Sequence, residues 1–490
     1  MADNDINNNK TSVLSGFLEF FYGNFVVLVL GFISLPLITR VMSTEEFGRS
    51  SLFLSAVSII YIFAILGLDQ SYIRYFYTEG VDRRRLFVQC LRPPLVLIVI
   101  ITAVYFVFSS FFNDLMFERS GLDITLLVIG YTVTSVFERF LFLNIRMEQK
   151  GKLYSNLNIL TKALYILFIL VFVYILGDDF RVGLYAQTLP LVIVTLFLLI
   201  RFVRKGKGQA ASHDLETKQL LRYGIPFVPM LLMEWLLSSM DKWSIRFLND
   251  FSETGVYSSA MQIMTILLTF KITYVAFWSP IAMKKYEQED ESTAKPFFAD
   301  MFQKVQFLCV LAAFALTTFR SIIVLILGEK YRGAIKIIPF LSLMPVLSIL
   351  FEMTGQGVKF KKKPIYFNYA SLVAICCNLA GNLLLVPRFC GVGAAVATAL
   401  TYIVYFAMGT YFAEKCYPVG YDHRRFAAGL IGYIIYAGYA TVSTNEWISA
   451  GTGAVLIILL VLLNRRVAAA LWGYCIGFIK ETKKKKTEKK

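Results

Sequence analysis

LYSNLNILTKALYILFILVFVYIL, Leu153–Leu176, decides what kind of chain this is. From Ala163 to Leu176 no residue is more polar than tyrosine. A bilayer core about 30 Å thick needs about 20 predominantly apolar residues of helix to cross it, and this stretch supplies them. Similar runs recur from one end of the 490 residues to the other. They are continuous rather than alternating at every second position, which argues against a transmembrane barrel. Hydrophobic residues make up 57% of the chain and charged residues only 17%, well below the roughly 25% charged residues of soluble domains.

Reading outward from that stretch gives spans at 13–38, 51–73, 87–112, 121–145, 153–176, 182–203, 221–243, 255–281, 302–327, 334–357, 365–387, 391–414, 426–443 and 446–464. The start, MADNDINNNKT, lacks the charged region and cleavage site of a signal peptide, so the first span is expected to stay in the mature protein. The net charge of +16 would suggest nucleic acid in a soluble protein. Here topology accounts for it, and no nucleic-acid partner is expected. With the N-terminus inside, inner loops and tails hold 31 Lys and Arg, outer loops hold 8, and 10 fall within spans. Inner segments such as Arg83-Arg84-Arg85 and Lys361-Lys362-Lys363 alternate with poorer outer loops, as the positive-inside rule requires. Both termini are therefore expected in the cytoplasm. The terminal lysine run reads as an orientation signal in contact with anionic membrane lipids.

The chain also resembles itself. Arg40-Val41-Met42-Ser43 leads through Glu46 to Gly48 and Ser51, and Arg246-Phe247-Leu248-Asn249 leads through Glu253 to Gly255 and Ser258. Together with the basic stretch after Arg204, this predicts two halves in the same orientation. The expected fold is thus an all-α integral membrane protein of 14 transmembrane helices, two six-helix lobes plus two C-terminal helices. The lobes fall at 1–203 and 221–414, with a cytoplasmic linker at 204–220. Two additional helices follow at 415–464, and a basic cytoplasmic tail at 465–490.

An ionisable side chain at bilayer depth costs at least a few kcal/mol and normally faces water or a partner. Arg92, Arg201, Arg222, Lys304, Arg320 and Lys336 lie near span ends, where they are expected to snorkel to the headgroups. Arg139, Lys162 and Lys271 lie deeper, roughly 9 to 15 Å from the inner ends of their helices. Glu19, Asp69, Glu138, Glu234 and Asp241 accompany them. Glu138 and Arg139 point about 100° apart, being adjacent on a helix, so they do not simply neutralise each other. Two readings stand. The charges are interhelical ion pairs holding the bundle together, or they wall a wetted cavity with a basic inner half suited to a phosphate or pyrophosphate. On the second reading Asp69, Glu138, Glu234 and Asp241 are candidates for coupling to an ion gradient.

Nothing in the sequence looks like a catalytic centre, and no cofactor is expected. There is no GxxxxGK nucleotide loop, no HExxH, no GxSxG and no zinc spacing. The seven cysteines are scattered without a CxxC pair and read as small apolar residues rather than metal ligands. The only histidines, His213 and His423, fall in expected cytoplasmic loops. GVGAAVATA at Gly391–Ala399 has Val396 where a dinucleotide fingerprint needs its third small residue. Close helix packing is the reading preferred.

Several segments, in order, resemble the polysaccharide transporter family. This is the lipid-linked oligosaccharide flippase branch of the multidrug/oligosaccharidyl-lipid/polysaccharide exporter superfamily. They are LPLITRVMSTEEFG at Leu35–Gly48, GLDQSYIRYF at Gly67–Phe76, LRYGIPFVP at Leu221–Pro229 and SSMDKWSI at Ser238–Ile245. ETGVYSSA at Glu253–Ala260, FWSP at Phe277–Pro280, GEKYRGA at Gly328–Ala334 and NLLLVPRFCGVGAA at Asn382–Ala395 continue the set. Lys242 stands where arginine is frequent in the family, which keeps the charge. The resemblance implies two lobes around a central cavity in a bacterial plasma membrane. It further implies flipping of undecaprenyl-diphosphate-linked sugar repeat units, with a polysaccharide polymerase and a chain-length regulator as candidate partners. By position, Arg74, Arg139, Lys162 and Lys271 are the residues it would bring to the diphosphate. Pro226 and Pro229 in the seventh span mark either a bending point or a static kink. A multidrug extruder and a murein-precursor flippase of the same superfamily remain as alternatives. A membrane polymerase or ligase ranks last, because no outer loop is long enough for its sugar chemistry.

Overall fold

Long apolar runs with few breakers leave the backbone one economical solution in lipid, the helix, because every N–H and C=O is satisfied within it. The computed structural model of the chain describes residues 2–204 and 215–473, with side chains from Tyr22 onward apart from 273, 276 and 277. Expectations about the Glu19 side chain, His213, Cys475, the middle of the linker and the lysine tail lie outside what is described. Among the described residues there are helices and no strand.

In chain order the first helices are α1 (Ala2–Val41), α2 (Thr44–Ile65), α3 (Leu68–Tyr75), α4 (Arg83–Val107), α5 (Ser109–Phe117), α6 (Leu122–Met147), α7 (Gly151–Leu176) and α8 (Arg181–Arg204). Then come α9 (Thr217–Gly224), α10 (Val228–Leu248), α11 (Phe251–Gln288), α12 (Glu291–Thr318), α13 (Arg320–Val324), α14 (Ala334–Leu341), α15 (Leu343–Thr354) and α16 (Gln356–Phe360). The last are α17 (Ile365–Cys416), α18 (His423–Val442) and α19 (Glu446–Leu463). Among the described residues, twelve helical stretches are long and apolar enough to cross a membrane. The sequence reading of 14 divides α17 in two and adds α18. In α17 the backbone leaves the helix at Cys390 (φ 49, ψ −131), just after Pro387. α18 opens on His423, Arg424 and Arg425, which keeps it out of the apolar set. The multi-pass membrane architecture expected from the sequence is the one observed.

The helices gather into two compact units. The first comprises residues 1–259 with 327–331, the second 260–326 with 332–490. In the first, α7 lies between α1 and α8, α6 packs on α4 and α8, and α2 packs on α6 and α10. Its core is built from Leu68, Tyr72, Phe87, Val136, Phe140 and Leu220, among others. The second has its core where α12, α15, α17 and α18 meet, around Phe302, Phe314, Leu350, Phe406 and Tyr433. There the small-residue run of α17 is buried, Gly391, Gly393, Ala394, Ala395 and Ala397 included, as close packing requires.

Within the first unit the two copies of the sequence repeat meet each other. A Cβ added to Gly48 would lie 1.9 Å from the carbonyl oxygen of Phe251, and one added to Gly255 would lie 1.9 Å from that of Thr44. The contact is reciprocal, because 48 and 44 stand to 255 and 251 with the same spacing. Ser51 Oγ and Ser258 Oγ, also equivalent, share a hydrogen bond of 2.8 Å. Thr44 Oγ1 and Ser252 Oγ share one of 2.6 Å. This is the self-complementary pattern of a two-fold contact. At the same end Tyr331 donates to the carbonyl of Ser43 (2.9 Å), and Arg246 Nη2 donates to Glu118 Oε1 (2.6 Å).

Candidate functional site

The second span bends where α2 stops. Leu66 (φ 51) and Gly67 (φ 66) are both left-handed, a tandem that ends α-helical hydrogen bonding. A side chain at Gly67 would strike Gly224, whose oxygen would lie 2.2 Å from its Cβ, so α3 and α9 touch through bare backbone. Ser71 Oγ donates to the carbonyl of Leu220 (2.7 Å) across the same contact. Beyond it the seventh span passes from α9 through a turn of 3-10 helix at Ile225–Phe227 into α10, with Pro226 and Pro229 at the change.

The break places Asp69 in the first turn of α3. Its carboxylate is buried and faces α6, where Arg139 donates to Oδ2 from Nη2 (2.7 Å) and Nε (3.1 Å). Gln70 Nε2 donates to the same oxygen (3.0 Å). Adjacent Glu138 is half-buried and has no hydrogen bond or ion pair among the described residues. The two neighbours thus have separate surroundings, as their angular offset on the helix requires.

The other candidates of the first unit are dispersed. Lys162 lies half-buried on α7 beside Gly31, its Nζ 4.3 Å from the centroid of the Tyr165 ring. Among the described residues it has no carboxylate partner. Arg74, at the last turn of α3, is exposed, with its guanidinium 5.7 Å from the Tyr75 ring centroid. Glu234 is exposed on α10. Asp241, about two turns further, is buried and accepts a 2.6 Å hydrogen bond from Tyr257.

In the second unit Lys271 of α11 lies 3.2 Å from Glu352 Oε1 of α15, and Lys359 of α16 donates to Oε2 of the same carboxylate (3.1 Å). Two cations share one anion. Sequence reasoning named Lys271 and passed over Glu352, although a carboxylate inside the run 334–357 carries the same cost argument. It could not find the pairing, because Lys271 and Glu352 are far apart in sequence.

One expectation is corrected. Arg320 does not snorkel. It is fully buried and is ion-paired with Glu446 (Nη2–Oε2 2.7 Å). It also donates to Thr317 O, Ala440 O and Ser449 Oγ, each at 3.0 Å. The start of α19 folds over the end of α12 and supplies acceptors where a headgroup was expected. Lys304, also placed near a span end, is paired with Asp300 one turn away (2.6 Å).

These features define a multi-pass helical membrane protein whose interior carries charged side chains in partly compensated groups. The family follows from comparison. The chain belongs to the polysaccharide biosynthesis protein family, whose model matches residues 13–286. Over 424 residues it is 19% identical to the probable low-salt glycan biosynthesis flippase Agl15 of Haloferax volcanii, covering 86% of this chain and 88% of that one. It is 21% identical over 385 residues to an uncharacterized membrane protein, MJ1068, of Methanocaldococcus jannaschii, covering 73% and 75%. Its fold is similar to that of the lipid II flippase MurJ in an inward closed conformation, with a TM-score of 0.62, 12% identity, and 92% and 99% of the two chains covered. It is also similar to an inward-facing multidrug resistance MATE family transporter of the MOP superfamily, with a TM-score of 0.59, 17% identity, and 82% and 96% covered. The fold is therefore one that this chain shares with both of these transporters.

Proposed function

We propose that the chain is a flippase moving undecaprenyl-diphosphate-linked oligosaccharide repeat units across the bacterial plasma membrane by alternating access, with both termini cytoplasmic. The observation that carries this reading is incomplete neutralisation. Lys162 has no carboxylate among the described residues, and Lys271 and Lys359 share only Glu352. Cations held inside a membrane protein without full compensation suit an anionic cargo, because a diphosphate supplies the missing charge. Arg139 is committed to Asp69 in this state and reaches a phosphate only by exchanging partners. Arg74, exposed at the end of α3, is the first cation a head group entering from the cytoplasm would meet. Among the carboxylates proposed for ion coupling, Glu138 is the foremost, since Asp69 and Asp241 already have partners and Glu234 is exposed. The membership in a polysaccharide biosynthesis family and the flippase named among its relatives support the same cargo class.

The test is flipping of a fluorescent undecaprenyl-diphosphate-linked oligosaccharide in reconstituted vesicles. Lys162→Gln with Lys271→Gln is expected to abolish flipping at unchanged protein level, whereas Lys162→Arg with Lys271→Arg retains it. Normal flipping by the neutral double variant refutes the role of these cations. Replacement of a cell's own murein-precursor flippase by this chain would move the cargo assignment to that class.

A further inference from the structure

The first unit holds a cavity of about 650 Å³ that the proposed transport does not use. It lies between α2, α4, α5 and α10, and its size falls in the range of about 300–1,000 Å³ typical of ligand pockets. Its floor is Ala56, Tyr105, Met116 and Met240, all buried. Its rim includes Ile100 and Val104, which belong to a broad exposed apolar face of α4. On a membrane-spanning helix such a face meets lipid, so the cavity opens sideways into the bilayer. Ile100 is seven residues before the end of α4, so the groove reaches about 10 Å down from that end of the bundle.

The polar handles of its wall are turned away. Trp235 Nε1 donates to the carbonyl of Ser55 (2.9 Å), Trp243 Nε1 to Ser55 Oγ (2.8 Å), and Tyr105 to Asn113 Oδ1 (2.5 Å). What remains facing the cavity is hydrocarbon.

At its upper end the groove adjoins a polar recess lined by Glu45, Glu118, Arg246 and Asp250. Residues lining the two are neighbours in the chain at two places, Phe247 with Arg246 and Met116 with Glu118. Three carboxylates face one guanidinium. Arg49 joins Glu45 to Glu46, Arg119 joins Glu46 to Asp179, and Arg181 joins Asp179 to Asp123, so these three further cations and three further carboxylates leave the excess negative charge at two. Arg246 gives Nη2 to Glu118, and its buried Nε has no hydrogen-bond partner.

We propose that this groove is a lipid site for an aminophospholipid of the leaflet at this end of the bundle. One acyl chain fills the apolar cavity, the phosphodiester accepts from the Arg246 guanidinium, and the ammonium group lies over Glu45, Glu118 and Asp250. Charge decides the head group. A purely anionic lipid, or the diphosphate of a polyprenyl cargo, would meet a net negative ledge with a single donor. A zwitterion places both of its charges favourably. The proposal stands apart from the flippase reading, because none of these residues is assigned to cargo.

The test is contact quenching of Trp235 and Trp243 by bromine-labelled acyl chains in nanodiscs. Trp278, Trp447 and Trp472 are replaced by Phe, the last two because they are exposed and would report any lipid. Brominated phosphatidylethanolamine is expected to quench at least twofold more than brominated phosphatidylglycerol at equal mole fraction. Val104→Phe, which narrows the mouth, is expected to remove the difference. Equal quenching by the two lipids, or stronger quenching by phosphatidylglycerol, overturns the proposal. So does relief of quenching by undecaprenyl phosphate at a concentration equimolar with the protein, which would assign the groove to the cargo's tail. Native mass spectrometry of the unsubstituted chain is the second measurement, with retained phosphatidylethanolamine expected over phosphatidylglycerol. The reverse order overturns the proposal equally.

Discussion

Replacing Gly48 by alanine puts the reciprocal contact between α2 and α11 to a direct test. The new methyl carbon would lie 1.9 Å from Phe251 O, and ordinary contact begins at 3.4 Å, so the two helices must part by about 1.5 Å. The Ser51–Ser258 bond at 2.8 Å and the Thr44–Ser252 bond at 2.6 Å span the same seam and would both exceed hydrogen-bonding distance. Each lost hydroxyl bond costs about 1 kcal/mol, and overpacking a tight contact costs about 1–3 kcal/mol. The cost is therefore about 2 kcal/mol in lost hydroxyl bonds if the helices part, or about 1–3 kcal/mol of overpacking if they stay together. Gly255→Ala meets the mirror obstacle at Thr44 O. Because one separation relieves both clashes, the double substitution is expected to cost clearly less than the two singles added. The assay is the thermal midpoint of the purified chain in detergent, read beside oxidative cross-linking of a Ser51→Cys/Ser258→Cys pair in a background without other cysteines. Gly48→Ala is expected to lower both the midpoint and the cross-linked fraction. An unchanged midpoint with undiminished cross-linking, or strict additivity in the double variant, refutes the reasoning.

Two further predictions concern charge. Removing one partner of a buried ion pair costs about 3–5 kcal/mol, but Arg320 is fully buried whereas the Glu446 side chain is about a third exposed. Glu446→Gln, which strands the buried cation, is therefore expected to lower the thermal midpoint more than Arg320→Met, and the opposite order would sink the assignment. In the loop between α7 and α8, burial works against the charge of Asp179. Hydrogen bonds from the Arg181 side chain and backbone, with the Arg181 and Arg119 charges, nevertheless hold its carboxyl below the ordinary value. A depressed carboxylate stabilises the fold above the unfolded value of about 3.9 and loses that contribution as pH falls through its lower folded value. Asp179→Asn should lower the midpoint modestly at pH 7, by the equivalent of about 1 kcal/mol, because its arginine partner is partly exposed and screened. The difference should shrink as pH falls below about 3.9, and a gap that stays constant through the acid range contradicts the linkage.

The helices were legible because lipid demands long uninterrupted apolar runs, and such runs survive in the sequence whatever their partners. The repeat was legible at Gly48 and Gly255 for a local reason, the need for bare backbone at a close contact. Interior charges were visible as exceptions to the apolar pattern, but their partners were not. Asp69 and Arg139 stand 70 positions apart, and nothing at either position encodes the other. Lys271 shows the same gap with Glu352. Arg320 misled because position along a span reports depth and says nothing about what folds over its end. The tandem left-handed pair at Leu66 and Gly67 left only the glycine as a signal, and the break at Cys390 left only Pro387 and the glycine that follows it.

The meeting of Gly48 with Gly255 also bears on how such a chain ages after a duplication. Most positions of two fused copies are free to drift apart, since each answers to different neighbours. Positions lying on an axis that relates the copies answer to one another, so a bulky change in either is resisted by the same opposing backbone. The faint likeness that outlasts such drift is thus expected where a molecule touches its own image, and in this chain that is where it is found.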